Sequence, residues 1–204
     1  MLVAALGLGA LLLGGWDYAS SSYVTGVGMV QAQPVPFSHQ HHVQDVGIDC
    51  RYCHTGAETG PNAGLPTTHT CMTCHSQLWT GAEALAPVRA SQASGRPIAW
   101  QRVSKLPDYA YFDHSIHVSR GVGCSECHGR MDTMPLAWRA YPFQMQFCLD
   151  CHRDPAPHLR PPALVTRMAP LGWSDRQQRR YGEQAMARHR IDPKKLDDCG
   201  ICHR

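Results

Sequence analysis

The stretch Cys50-Arg51-Tyr52-Cys53-His54 is the first of five in which two cysteines, two residues apart, are followed at once by histidine. The others are Cys71-Met72-Thr73-Cys74-His75, Cys124-Ser125-Glu126-Cys127-His128, Cys148-Leu149-Asp150-Cys151-His152 and Cys199-Gly200-Ile201-Cys202-His203. They use all ten cysteines of the 204-residue chain. CxxCH is the attachment sequence for c-type haem, and its spacing has a mechanical reason. The two thiols add across the two vinyl groups of one porphyrin, and the next residue swings its imidazole under the iron as the proximal ligand. Structural zinc and disulfides also use paired cysteines, but neither needs the histidine. With 13 His in 204 residues, His follows a given pair by chance about 6 % of the time. Five coincidences have odds of about one in a million. The expectation is therefore five covalent haems, with Cys50, Cys53, Cys71, Cys74, Cys124, Cys127, Cys148, Cys151, Cys199 and Cys202 as thioether donors. His54, His75, His128, His152 and His203 are then the proximal ligands.

A chain of 22.6 kDa with 18 Gly and 15 Pro has room for one or two small, loop-rich domains and excludes a large multidomain enzyme. Its 43 % hydrophobic content excludes disorder. A formal charge of +3 gives no ground for a nucleic-acid partner. Five haems would add about ten propionates and turn the surface acidic or mixed. The chain has 16 Arg against 3 Lys, and arginine is the better bidentate carboxylate partner. Porphyrin packing is expected to replace ordinary cores.

The N-terminus, MLVAALGLGALLLGGW over residues 1–16, is uninterruptedly apolar. Asp17 is the only charged residue before Asp45, and Arg51 is the first base. A cleaved signal peptide opens with positive charge, and none stands here. The reading is an anchor helix over residues 1–22, whose sixteen-residue apolar run falls slightly short of the roughly 20 apolar residues of an ideal span. The missing positive flank suggests a start upstream and leaves the anchor unoriented by charge. Haem attachment outside the cytoplasmic membrane orients it instead. The haem domain is expected on the periplasmic or extracellular side of a bacterial inner membrane.

An internal repeat supplies candidate second ligands. Phe37-Ser38-His39-Gln40-His41-His42-Val43 and Phe112-Asp113-His114-Ser115-Ile116-His117-Val118 both read F-x-H-x-x-H-V before a glycine-containing turn and CxxCH. His39 precedes Cys50 by eleven residues and His114 precedes Cys124 by ten. Each unit carries a further CxxCH, so residues 23–153 read as two duplicated dihaem modules, about 37–76 and 112–153, joined by a linker. Residues 154–204 follow as an arm, a helix and the fifth site. Histidines three apart share a helical face and diverge enough to reach different irons. The fifth haem has no such frame. Its candidates are His189, ten residues before Cys199, and the methionines Met134, Met145 and Met168. A methionine ligand would raise the potential. His41, His69 and His158 read as spare. A helix is predicted from Ser174 to about Arg190, a helical turn or two over 82–90, and a proline-rich extended segment over 155–170, either a plain connection or an arm that grips a partner subunit.

The module resembles the small multihaem cytochromes of the c3 and c7 type. That resemblance implies that His39 and His114 ligate haems 1 and 3 and that His42 and His117 serve neighbours. It also implies a fold that is mostly α and irregular.

A closer resemblance is carried by Val24-Thr25-Gly26-Val27-Gly28, Gln33-Pro34-Val35-Pro36-Phe37-Ser38-His39, Gly47-Ile48-Asp49 before the first motif and Ser76-Gln77 after the second. Tyr111 through His117, Gly121-Val122-Gly123 and Phe147 through Arg153 extend it. Over 23 to about 160 the chain is similar to the pentahaem cytochrome subunit of alternative complex III, a bacterial quinol-oxidising membrane complex. The resemblance implies an electron-transfer subunit, not an enzyme on its own. Its partners would be an iron–sulfur subunit and integral-membrane subunits, and its electrons would pass to a monohaem cytochrome c or a copper protein. Segment 154–198 departs from that family. Two other readings are a self-sufficient membrane-anchored multihaem quinol dehydrogenase, with an open haem near residues 17–50, and a catalytic multihaem reductase with a high-spin iron.

Overall fold

The computed structural model describes residues 2–203. Helix α1 (Leu2–Ser20) buries none of its residues against the rest of the chain. An apolar helix that packs on nothing of its own protein is not a core helix. Its length, about 28 Å at 1.5 Å per residue, suits a bilayer core of about 30 Å. It is the one candidate span among the described residues.

The rest is short helix and loop, as expected for a chain rich in Gly and Pro. Among the described residues there is no strand, only the isolated bridges Val27–Arg139, Val30–Trp138 and Val122–Leu159. Each CxxCH forms one helical turn or ends a helix: Cys50–Cys53, Thr68–His75, Cys124–His128, α3 (Met145–Arg153) and Cys199–Cys202. Asp49 and Asp198 cap the first and last of these, each accepting from the backbone N–H two residues on. The linker turn is a 3₁₀ turn, Glu83–Leu85, running into α2 (Ala86–Ser94), longer than its sequence suggested. Helix α4 (Asp175–His189) begins with a reciprocal capping box between Ser174 and Gln177 and stops at Arg190, which is left-handed at φ 54°.

The two F-x-H-x-x-H segments wind differently. His114–Ser119 is α-helical, whereas Gln40–Asp45 is a π-turn, with the Val46 amide bonded five residues back to His41. The first segment is one residue longer to its cysteine, and a π-turn is how a helix absorbs one extra residue.

The largest correction concerns the proline-rich segment 155–170. It is not an extended connection but two 3₁₀ turns, Ala156–His158 and Pro162–Leu164, at the centre of the polypeptide core. Ala156, Leu159, Val165 and Met168 are buried there together with Met134 and with Ala185 of α4. Even so, the chain exposes 13437 Å², against about 9500 Å² expected of a folded monomer of its mass. The polypeptide alone closes a small core, in line with an interior built around a prosthetic group.

Helix α4 meets this arm through Gly182, where a Cβ would collide with the Ala156 backbone carbonyl. Neither partner is the end of a flexible side chain, so the clash moves a whole element. Gly182→Ala is expected to cost about 2–3 kcal/mol, within the range for overpacked sites. Hydrogen exchange should show faster opening of 156–165 and α4 while α2 keeps its protection.

Candidate functional site

The two repeat segments carry their rings in matching arrangements. Phe37 lies edge-on to His39 (centroids 4.9 Å, 86°) and face-on to His42 (4.3 Å, 22°). Phe112 does the same with His114 (4.8 Å, 90°) and His117 (4.4 Å, 24°). The phenylalanine of the motif therefore sets the orientation of both histidines, a role its sequence position alone did not reveal.

These histidines stand opposite the motif histidines. Ring centroids are 6.2 Å apart for His42 and His75, 6.4 Å for His114 and His128, and 6.1 Å for His117 and His152. Two imidazoles bound end-on to one metal through bonds of about 2 Å have centroids about 6.3 Å apart. His39 lies close enough to His54 and His128 to feel their charge. The structure thus brings His42, His114 and His117 to motifs 2, 3 and 4 in the sense His42–His75, His114–His128 and His117–His152, and leaves His39 near the histidines of motifs 1 and 3.

The other ring nitrogen matters as much. In seven of these nine histidines Nδ1 donates to a backbone carbonyl: His42 to Ser38 (2.8 Å), His54 to Gly64 (2.7 Å) and His75 to Leu78 (3.2 Å). His114 donates to Pro61, His117 to Asp113 and His152 to Leu196, each at 2.7 Å, and His203 to Tyr109 at 3.2 Å. A proton held on Nδ1 leaves the lone pair on Nε2, the state a metal needs. His128 pairs more loosely with the Ser104 hydroxyl (3.5 Å), and His39 encloses an Nδ1 with no hydrogen-bond partner. Burial, with neighbouring imidazoles adding to it, pulls both His39 and His128 down to about 4, so both are neutral at pH 7. Neutral imidazoles and paired thiols are the donor set a c-type haem requires, and they fit it.

The thiols show how the motifs are ordered in space. Cys53 is raised by burial and then by Cys71, linking motifs 1 and 2. Cys50 is raised first by its hydrogen bond with Cys124, linking motifs 1 and 3. Burial followed by Cys151 pushes Cys127 up to about 12, linking motifs 3 and 4. Cys148 is raised by burial and then by Cys202, linking motifs 4 and 5. Neighbouring thiols thus join motif 2 to 1, 1 to 3, 3 to 4 and 4 to 5, an order 2–1–3–4–5 by adjacency. The exposed thiols, Cys74 and Cys199, belong to its two ends.

The fifth site differs. The ring beside His203 is Tyr109, at 6.0 Å on the same side as the Nδ1 bond. Of the four residues expected there, Met134 and Met168 are enclosed by polypeptide in the core. Met145 is exposed on α3, three residues before Cys148 and seven before His152, on their face of the helix. His189 ends α4 and is half-buried. The other histidines find work of their own. His41 stacks on Trp79 at 5.7 Å, and His158 donates to Glu126 at 2.8 Å.

Glu126, one of the two variable residues of motif 3, was not singled out by its sequence. It is half-buried and receives Arg160 at 2.6 Å besides His158. Burial alone would raise its carboxyl, but His158 and Arg160 outweigh it and hold it below the ordinary range. Arg160 also donates to the Arg167 carbonyl (2.7 Å), and its amide bonds Gly121 (2.7 Å). Motif 3 is thereby clamped to the arm, together with the Cys124 amide bonded to Val165 (2.9 Å).

No family model matches the chain. A curated relative, the multihaem cytochrome c subunit of a menaquinone reductase from Nitratidesulfovibrio vulgaris, is 36 % identical over 120 residues. The match covers 58 % of this chain and 54 % of the relative, so the chain spans about half the length of that protein. The likeness, the helical strand-free fold and the apolar N-terminal helix agree with a multihaem cytochrome c holding c-type haem at CxxCH.

Asp49 offers a test of the first site. Its carboxylate accepts from the Arg51 guanidinium (2.8 Å) and from Thr166 (2.8 Å), tying motif 1 to the arm. Arg51 first of all, against some desolvation, holds Asp49 at about 2 instead of 3.8. A depressed carboxyl adds stability that is present above 3.8 and lost as pH falls through about 2. Acid titration followed by Soret absorbance should show this loss in the native chain. Asp49→Asn should flatten that part of the profile and lower stability at neutral pH.

Proposed function

We propose that this chain is an electron-transfer subunit carrying five covalent c-type haems, one per CxxCH motif, in a membrane complex that exchanges electrons with quinone. The observation that carries the reading is the unbroken spatial order 2–1–3–4–5, in which each motif adjoins the next. A bound haem supplies one-electron chemistry. The chain's own residues set where that chemistry sits and how it is tuned. Thiol pairs would hold each ring, His54, His75, His128, His152 and His203 would supply one Nε2 atom to each iron, and His39, His42, His114 and His117 would supply the second to four of them. Nδ1 bonds to carbonyls keep the tautomer constant through oxidation and reduction, so little reorganisation accompanies each electron.

For the fifth haem we propose Met145 as the distal ligand. It lies on the α3 face that carries Cys148, the thiol that adjoins Cys202, while His117 already stands opposite His152. Met145→Leu should abolish the red sulfur-to-iron absorption band of the oxidised protein and lower the highest of the five potentials. Persistence of the band would exclude Met145 and return the question to Met134 or Met168. Absence of that band from the wild-type spectrum would favour His189.

The resemblance to the pentahaem subunit of alternative complex III supports a quinol-oxidising direction. Electrons would come from integral-membrane and iron–sulfur neighbours and leave to a monohaem cytochrome c or a copper protein outside the membrane. The name of the curated relative supports a second reading, in which electrons run inward and reduce menaquinone. Mild-detergent isolation from native membranes with haem staining is the deciding experiment. We expect five haems per chain by mass, a co-migrating iron–sulfur subunit, and haem reduction on adding quinol. Haem oxidation on adding menaquinone, with no reduction by quinol, would reverse the direction. A haem band that migrates alone and still oxidises quinol would replace the subunit reading with a self-sufficient dehydrogenase.

His117→Ala should leave four low-spin haems and create one that binds carbon monoxide. Binding of carbon monoxide by the unmodified chain would instead favour the reductase reading.

A further inference from the structure

The segment that follows α1 does not hang free. Arg139 donates to the Thr25 carbonyl at 3.1 Å, the Gly28 amide donates to the Arg139 carbonyl at 2.8 Å, and Val30 bridges Trp138. The same guanidinium holds the Val103 (3.3 Å) and Lys105 (3.1 Å) carbonyls and lies 5.8 Å from the Phe143 ring. Phe143 packs edge-on against Phe147 at 5.5 Å, and Phe147 precedes Cys148. The haem domain is thus bolted to the end of α1 through one arginine, and that arginine leads to motif 4.

Chain length then limits how far this region can stand from a membrane. From Ser20, the end of α1, to Thr25 the chain reaches at most about 17 Å, and less because Ser22–Thr25 is helical. The headgroup layer adds about 5–8 Å beyond the hydrocarbon on each side. Residues 23–25, and Arg139 that binds Thr25, therefore lie in that layer or within about 10 Å of it. Their composition suits such a place. Residues 18–44 contain no Asp, Glu, Lys or Arg. Tyr23, Val24, Met29, Val30 and Leu136 are all exposed, with Met29 at 48 % and Val30 at 50 %. Tyr18 and Tyr23, with centroids 6.2 Å apart, add the aromatic pair typical of a membrane–water boundary.

We propose that residues 23–30 and 136–139 form a strip that rests on the lipid bilayer beside α1. The strip holds the haem domain at a fixed tilt, in place of a domain tethered loosely by its anchor. The occupant is lipid, because the strip is continuous with α1, carries no Asp, Glu, Lys or Arg over residues 18–44 and exposes apolar side chains close to the end of the span. The inference rests on α1 crossing the membrane, and the test separates the two.

The ten native thiols are consumed by haem attachment, so a new cysteine is the single labelling site. Spin labels at Met29→Cys and Leu136→Cys sample the strip from two segments. Leu8→Cys samples α1, and Glu183→Cys on α4 is a solvent control. The full-length haem-loaded chain is kept oxidised in phosphatidylcholine–phosphatidylglycerol nanodiscs with and without a nickel-chelating lipid, and each label's relaxation without nickel, which contains the fixed contribution of the ferric haems, is subtracted. We expect relaxation by lipid-borne nickel to be about threefold or more stronger at 29 and 136 than at 183, with 8 shielded from a soluble nickel chelate. If 29 and 136 respond to the soluble chelate as 183 does, with 8 still shielded, the strip does not touch lipid and the proposal falls. If 8 is itself open to the soluble chelate, α1 does not span and the membrane reading falls with it.

Discussion

One bond type carries this structure, the hydrogen bond from a histidine Nδ1 to a backbone carbonyl. It fixes a tautomer, aims Nε2 and does so without a second side chain. Several of these carbonyls come from distant parts of the chain. His114 reaches Pro61 across 53 residues, His152 reaches Leu196 across 44 and His203 reaches Tyr109 across 94. The contacts that orient the ligands are therefore also contacts that hold the chain's parts together. They stand beside other long-range bonds, Arg139 to Thr25, Thr166 to Asp49 and Arg160 to Glu126. In the three histidine bonds, ligand orientation and tertiary structure are the same contact.

The arm over 155–168 is the second support, and it acts at the middle of the line of sites. Leu159 and Val165 are fully enclosed there, Arg160 and His158 hold Glu126, and Thr166 binds Asp49. It thus touches the helical turns of motifs 1 and 3, which are joined by the Cys50–Cys124 contact. A carboxylate and a guanidinium at such a junction cost desolvation, and their pairing offsets that cost only because each carboxylate oxygen meets its own donor. Specificity of register between the two modules is the benefit that geometry offers.

What the sequence made legible follows from repetition. Five CxxCH runs and two F-x-H-x-x-H frames pointed to nine histidines, six of which the structure sets in three facing pairs. Even the one-residue difference between the frames was visible, as eleven residues against ten, though its meaning as a π-turn needed the backbone. The arm was misjudged because proline content signals where regular structure stops, not whether the segment is buried. Ala156, Leu159, Val165 and Met168 are spaced by turns of 3₁₀ helix and show no period of 2 or 3.6. Carbonyl partners were invisible because every residue has one. The fifth site lacked a repeat to read, and there four candidates remained where elsewhere one histidine stood out.

The order of sites also follows from duplication. If two dihaem modules pack through their first motifs, motifs 1 and 3 meet at the centre and motifs 2 and 4 fall outside, giving 2–1–3–4. That is what the Cys50–Cys124 contact and the flanking Cys53–Cys71 and Cys127–Cys151 contacts describe. Such an arrangement is symmetric and by itself favours neither direction of electron flow. The C-terminal motif breaks the symmetry by extending one side only, beyond motif 4, which is also the side to which α1 is bolted through Arg139, Phe143 and Phe147. One end of the line is then built from a repeated frame and the other from a single addition next to the membrane attachment. On the proposed reading a relay needs two different ends, and a motif outside the two repeated frames supplies that difference.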